Sequence, residues 1–268
     1  MPLLKNQYFK VILAYKGSKF FGWQYQPDQR TVQGEILLAL KTIHPNCKVK
    51  VKASSRTDKG VHAREQCISI FVEQPFKDLK TSFSRILPDD IEVKSFQPGY
   101  LDPFSFISKQ YKYFFTTKKN VFKSDYETLL PFSTNLDRFI EAWSFFQGEK
   151  SFHNYVTQGT EYKTLVRNCF SIKVKKNNNY SCVVSLESNG FLKQMIRLMA
   201  GTSLMYASKK ITKEDIKDSF SLNNHGQLGP VLQPNGLFLW KTIFLNKKKS
   251  YINIYHNVVS FLQIDRKS

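Results

Sequence analysis

The sequence predicts an α+β protein made of two parts that repeat one order of elements. Three observations carry this prediction. Alternating, β-branched runs are interleaved with stretches whose apolar residues recur at helical spacing. The same strand–helix rhythm returns in the second part of the chain, although no residue-level repeat is visible. A hydrophobic content of 41% over 268 residues supports a real core, rich in Phe (23) and Tyr (13).

Each element can be justified in order. "QYFKVILAYKG" alternates and reads as a strand ending at a Gly17 turn. "TVQGEILLALKTI" places Val32, Ile36, Ala39, Leu40 and Ile43 on one helical face, with Thr31 as N-cap. "QCISIFVE" is a strand. "FKDLKTSFSRILPDD" is a helix with Leu79, Phe83, Ile86 and Leu87 inward, stopped before Pro88. "IEVKSFQ" and "QYKYFFTT" follow as strands, the rhythm of an α+β unit.

The second part opens with "NLDRFIEAWSFFQG", a helix capped by Asn135, burying Phe139, Trp143 and Phe146 and stopping at Gly148. "FSIKVKK" and "YSCVVSLES" are strands around the polar turn "KNNN". "NGFLKQMIRLMAGTSLMYAS" is the most apolar helix of the chain, and "TKEDIKDSF" has the form of a capping box. "GLFLWKTIFL" is a final strand. The expected division is 1–105, 106–247 and a C-terminal appendix, 248–268, after the lysine run Lys247–Lys249; an added edge strand is the simple reading of that appendix.

Charge narrows the class of partner. Forty Lys and Arg against 21 Asp and Glu leave a net +19, spread along the whole chain. That pattern fits a folded protein with a basic face, whose natural partner is a polyanion. A membrane surface would be a competing polyanion, but no segment is apolar enough to span a bilayer. The apolar run at the N-terminus is too short and too quickly charged for a signal peptide. Cys47, Cys67, Cys169 and Cys182 are far apart and form no CxxC pair. They read as reduced thiols of a cytoplasmic protein rather than a disulfide framework or zinc site.

Against this basic background, "SSRTDKGVHA" fixes one carboxylate, Asp58, between Arg56 and Lys59. By local rules an Asp before Gly60 in a small-residue loop is a turn residue. The competing reading is a reactive group held in a basic cleft, and periodicity does not separate the two. Tyr111 and Tyr113 alternate with Lys112 and share one strand face, where core packing is the simple account. Lys193 and Arg197, four apart in the apolar helix, form either a stripe wanting an anionic partner or snorkelling surface cations. His62 fits loop-to-strand packing better than a base. His44, His153, His225 and His256 are scattered and make no metal signature. Trp23 belongs to the core with Gln24 free to bond, and "GSKFFG" lacks the spacing of a phosphate loop.

Several ordered blocks resemble one family. "RTDKGVHA" is similar to the catalytic signature of the TruA-type tRNA pseudouridine synthases. "YKGSKFFGWQYQ" with "TVQGEILLAL", "ILPDDIEV", "KQYKYFF", "NGFLKQMIRLMAGT" and "QPNGLFL" resemble further family blocks in the family's order, across about residues 7–245. The resemblance implies two ferredoxin-like halves sharing one continuous, mostly antiparallel sheet, with helices on one face and a basic RNA-binding cleft. It implies isomerisation of uridine to pseudouridine on the 3′ side of the anticodon arm of tRNA by a homodimer, with neither metal nor cofactor.

By the same resemblance Asp58 is the catalytic carboxylate, Tyr111 stacks near the uracil and assists proton transfer, and Arg197 pairs with Asp58. Arg56 helps displace the target base; Lys193 is added to the RNA-binding set on its charge and its spacing from Arg197, not on the resemblance. Isomerisation breaks the N1–C1′ bond, rotates the uracil and rejoins it through C5. A single carboxylate can act as a nucleophile or assist C2′ deprotonation, unlike the paired carboxylates of glycosidases. Arg197 is expected to keep Asp58 ionised. Ser55 stands where the family has Gly, Asp102 and Pro103 where it has F-x-A-R, and Lys150 and Ser151 within its G-x-H-D-F block. These departures bear on loop backbone, RNA contacts and efficiency. A non-catalytic RNA-binding paralogue and a basic structural protein are the alternatives. Both predict no conversion of uridine.

Overall fold

The computed structural model describes residues 7–74, 78–157, 162–221 and 226–244. The 248–268 appendix, the Lys247–Lys249 run, His225 and His256 lie outside the described residues.

The chain forms β1 (Gln7–Tyr15), α1 (Val32–Ile43), β2 (Val49–Ala53), β3 (His62–Val72), α2 (Leu79–Ile86) and β4 (Ile91–Pro98). Then come β5 (Phe106–Thr116), β6 (Thr128–Leu129), α3 (Leu136–Ala142), β7 (Gly148–Ser151), β8 (Val166–Asn178), β9 (Ser181–Ser188), α4 (Met195–Ala207), α5 (Lys213–Asp218) and β10 (Leu237–Phe244). The strands join in one sheet ordered β4-β1-β3-β10-β5-β9-β8-β7, with β2 on β3 and β6 on β5. Pairing is antiparallel except for β10 on β3 and β6 on β5.

Two runs of this order are the same. β4-β1-β3-β2 in the first part and β10-β5-β9-β8 in the second both read fourth-first-third-second, the βαββαβ plan of a ferredoxin-like unit. The halves meet where β10 pairs with His62 and Ala63 of β3. β2 occupies the same edge of β3 farther along, opposite Ile68–Val72. The edge of β3 is therefore divided between β2 and β10, and the chain from β2 must leave the sheet at that division.

Helix ends follow their sequence signals. The Thr31 hydroxyl accepts from the Gly34 N–H at 3.1 Å, and Asn135 Oδ1 accepts from the Arg138 N–H at 3.0 Å. Thr212 and Asp215 make the expected capping box. The aromatic helix turns into a 3₁₀ segment at Trp143–Phe146, keeping Phe139, Trp143 and Phe146 wholly buried. One core cluster runs through both halves.

Three expectations need correction. β2 was not expected; "VKVKA" is five residues with an exposed lysine row, too short for its alternation to stand out. Ile86 is 42% exposed, because the chain turns extended at Leu87 before Pro88 and the Leu87 side chain seals the core instead. Lys193 is not on the apolar helix. Gln194 adopts φ 61, and the helix starts only at Met195.

Candidate functional site

The segment leaving β2, Ser54–Val61, is anchored almost residue by residue. The Ser54 N–H donates to the Cys67 carbonyl at 2.9 Å, and the Ser54 hydroxyl meets Gln66 Oε1 at 3.1 Å and Thr242 Oγ1 at 3.0 Å. Gln66 Nε2 donates to the Ser55 carbonyl at 2.6 Å. Tyr15 Oη bonds Thr57 Oγ1 at 2.8 Å, and the Trp23 N–H donates to the Thr57 carbonyl at 3.0 Å. Buried polar groups joined in this way fix one conformation, since breaking any bond leaves a partner unsatisfied.

Close backbone approach completes the clamp. At Gly22 (φ +92) a Cβ would lie 2.9 Å from the Thr57 carbonyl oxygen and 3.2 Å from the Asp58 carbonyl carbon. Only glycine adopts that backbone without strain and leaves the loop room. On the other side, a Cβ at Gly60 (φ +82) would lie 2.6 Å from Pro234 Cγ. The stretch holding Pro234 also serves α4 and β5. The Leu232 carbonyl accepts from Arg197 Nε at 2.6 Å, and the Gln233 carbonyl accepts from Tyr113 Oη and from Thr128 Oγ1 at 3.0 Å. One short segment thus sets the loop of the first half against the helix and strand of the second.

Between them lies a cavity of about 1090 Å³. Asp58, Arg56, Tyr111, Lys193 and Arg197 all line it, so the chain brings the residues singled out in the sequence to one place. Among the described lining residues Asp58 is the one carboxylate, sharing the cavity with Lys52, Arg56 and Lys59 from the first half and Lys109, Arg167, Lys193 and Arg197 from the second.

Asp58 Oδ2 stands 3.9 Å from Arg197 Nη1, with side-chain exposures of 26% and 12%. Burial pushes the Asp58 carboxyl above its ordinary range, while Arg197 and then Lys193 pull it down. The net shift is upward. The guanidinium acts in the expected direction but does not dominate, because 3.9 Å is a loose pairing and Arg197 Nε is committed to the Leu232 carbonyl. In this state Asp58 is a partly desolvated carboxylate, a more basic group than a surface aspartate.

Tyr111 is buried, edge-on to Phe191 at 5.1 Å, and burial pushes its phenol up to about 12. Its hydroxyl lies 3.4 Å from the Ser55 hydroxyl. Ser55 is not among the positive-φ residues, so the loop accommodates the serine without left-handed backbone and gains a polar neighbour for Tyr111. Arg56 is exposed at the rim. Asp102 shapes a turn, its carboxylate accepting from the Phe104 N–H at 3.0 Å, while Lys150 and Ser151 lie on β7; neither they nor Pro103 line the cavity.

His62 packs as expected. Its Nδ1 accepts from the Gly17 N–H at 3.1 Å, its Nε2 faces the Asp125 carbonyl at 2.8 Å, and its ring stacks on Phe238. Burial lowers its basicity, consistent with a neutral ring. Trp23 is buried, and Gln24 bonds Gln33. Sequence reasoning gave no role to Gln66, Tyr15, Lys109, Arg167 or the Pro230–Pro234 stretch, although Tyr15, Lys109 and Gln233–Pro234 lie within the quoted blocks. Gln66 carried little signal, since it follows Arg64 and Glu65 at the polar start of the strand read as "QCISIFVE".

A sequence model of the tRNA pseudouridine synthase family matches residues 11–101 and 142–244. A protein of Bacillus pumilus named tRNA pseudouridine synthase A is 33% identical over 245 residues, covering 88% of this chain and 99% of its own length. One of the same name from Geobacillus kaustophilus is 33% identical over 250 residues, covering 89% and 95%. Another, from Listeria innocua, is 30% identical over 241 residues, covering 87% and 97%. The chain belongs to the tRNA pseudouridine synthase family.

Proposed function

We propose, from this membership, that the chain isomerises uridine to pseudouridine in the anticodon stem-loop of tRNA, with Asp58 as the catalytic carboxylate. The observation that carries the reading is Asp58 itself: one carboxylate on a clamped loop, in a cavity whose other charged lining residues are all cations among those described, 3.9 Å from Arg197. The cationic lining suits an RNA strand, whose phosphates it neutralises. The cavity suits a nucleotide taken out of its stack.

In this reading Arg56, at the rim, enters the RNA stack and displaces the target base. Tyr111 offers its ring to the extruded uracil, and its high pKa keeps its phenol protonated at neutral pH. Lys193 adds positive charge beside Asp58. Asp58 acts at the ribose as the N1–C1′ bond breaks, either by attack at C1′ or by assisting C2′ deprotonation. The uracil rotates, C5 joins C1′, and the C5 proton is released. The proton lost from C5 is balanced by one taken up at N1, and no heavy atom enters or leaves, so this isomerisation requires neither an external nucleophile nor a redox partner. Arg197 balances the charge of Asp58 throughout.

Residues 1–105 and 106–247 are taken as the two ferredoxin-like units, supported by the repeated strand order. A homodimer in the cytoplasm, binding tRNA across both subunits, is the assembly proposed. Among the described residues no helix is long and apolar enough to cross a membrane. The test is release of the C5 hydrogen from uridine-labelled, unmodified tRNA. Asp58→Asn should lower it by more than about 100-fold; release at the unsubstituted rate would sink the assignment.

A further inference from the structure

The cavity holds a second cationic centre besides Arg197 and Lys193. Lys109 lies on β5 two residues before Tyr111, on the same strand face, and both line the cavity. Lys109 pairs with Ser188 of β9, and Ser188 pairs with Cys169 of β8, two residues beyond Arg167. The register therefore brings Arg167 to the same space. Its Nη1 is fixed by the Thr164 carbonyl at 2.9 Å and the Val166 carbonyl at 2.6 Å. A Cβ at Gly190 would lie 3.7 Å from Arg167 Nε, so the glycine leaves that edge of the guanidinium open.

Neither cation makes an ion pair among the described residues. The groups facing Lys109 are Arg167, the Phe106 ring 4.1 Å from its Nζ, and its uncharged partners Ser188 and Thr242. Glu187 is turned to the other side of the strand, where it accepts from Ser108 at 2.6 Å and Gln110 at 3.0 Å. Two half-buried cations facing each other are unfavourable until an anion joins them. Along β5, Lys109 stands about 6.7 Å from Tyr111. The two side chains therefore stand next to each other along one face of the strand.

We infer that Lys109 and Arg167 together hold one phosphodiester of the bound RNA strand, next to the nucleotide that enters beside Asp58. The inference rests on reading the cavity as an RNA site, and it assigns these residues a binding role, not a catalytic one. It has a particular consequence for pH. Burial and then Arg167 bring the Lys109 ammonium down to about 8 in the free protein. Phosphate binding favours the charged form, so affinity is full below that value and falls as pH rises through it. The other shifted lining groups titrate elsewhere: Arg167 is lowered by burial but from the guanidinium range, Tyr111 lies near 12, and Asp58 sits in a carboxyl range raised by burial.

The experiment measures the Kd of an unmodified tRNA transcript at constant ionic strength from pH 7 to 9, and across a salt series at pH 7. Pseudouridine formation is followed in the same preparations. Binding by the unsubstituted chain should weaken by about tenfold across that pH range. Lys109→Arg, charged throughout, should bind with no such loss. Lys109→Ala and Arg167→Ala should each reduce the slope of log affinity against log salt by about 0.7. A Lys109→Arg variant that weakens with pH like the unsubstituted chain, or alanine variants with unchanged salt slopes, would overturn the clamp. A chain that binds as described but converts no uridine would instead overturn the functional reading.

Discussion

The connection between β2 and β3 and the connection between β8 and β9 occupy the same place in two units of the same strand order, yet one builds a site and the other only turns. β8 and β9 pair from Cys169↔Ser188 to Asn178↔Ser181, and the chain reverses tightly around Asn178. β2 stops at Ala53 after pairing with Ile68, because the next stretch of the β3 edge is taken by β10. The eight residues from Ser54 to Val61 must leave the sheet, and their polar groups find partners from β1, β3, β10 and the Phe20–Trp23 stretch. A completed hairpin satisfies its own backbone and presents little. An interrupted one must be held by other elements, and the holding fixes a side chain in a cavity.

Substitutions at the two connections should separate these roles. The largest effect after loss of Asp58 itself is expected at Gly22. Gly22→Ala sets a Cβ against the Asp58 loop and forces a left-handed alanine, so kcat should fall by more than about tenfold while stability drops by about 1–2 kcal/mol. A variant with unaltered kcat would show that the loop tolerates displacement, and would break the comparison.

Arg197→Gln should change pH dependence as well as rate. Removing the guanidinium leaves burial less opposed, so the Asp58 carboxyl rises further. In the proposed mechanism the ionised carboxylate acts, so activity is lost as pH falls through the carboxyl pKa. The acid limb of kcat/KM should therefore move to higher pH. An unmoved limb would remove Arg197 from the electrostatics of Asp58. The same shift predicts the sign of a stability change. A carboxyl whose pKa is raised by folding disfavours the folded state at neutral pH, so Asp58→Asn should have a Tm no lower than the unsubstituted chain.

The smallest effect belongs to the hairpin. Asn178 Oδ1 accepts from the Tyr180 N–H at 3.1 Å and the Ser181 hydroxyl at 2.9 Å. Asn178→Ala should lower stability by about 0.5–1.5 kcal/mol and leave kcat unchanged. A loss of kcat there would mean that the second connection also supports the chemistry.

Element types and most boundaries were legible in the sequence, because alternation, helical spacing and caps at Thr31, Asn135 and Thr212 are local signals. The blocks around Asp58, Tyr111 and Arg197 were legible as a family resemblance. Local chemistry alone left Asp58 a turn residue and Tyr111 a core residue. What the sequence could not supply was distance between segments far apart along the chain. Only the fold decided that β10 would share the edge of β3, that the Pro230–Pro234 stretch would join Gly60, Arg197 and Tyr113, and that Lys109 would face Arg167. It also decided the balance at Asp58, where burial outweighs a cation at 3.9 Å. Propensity and capping act between neighbours in sequence, whereas desolvation and charge pairing depend on what packing brings within a few ångströms.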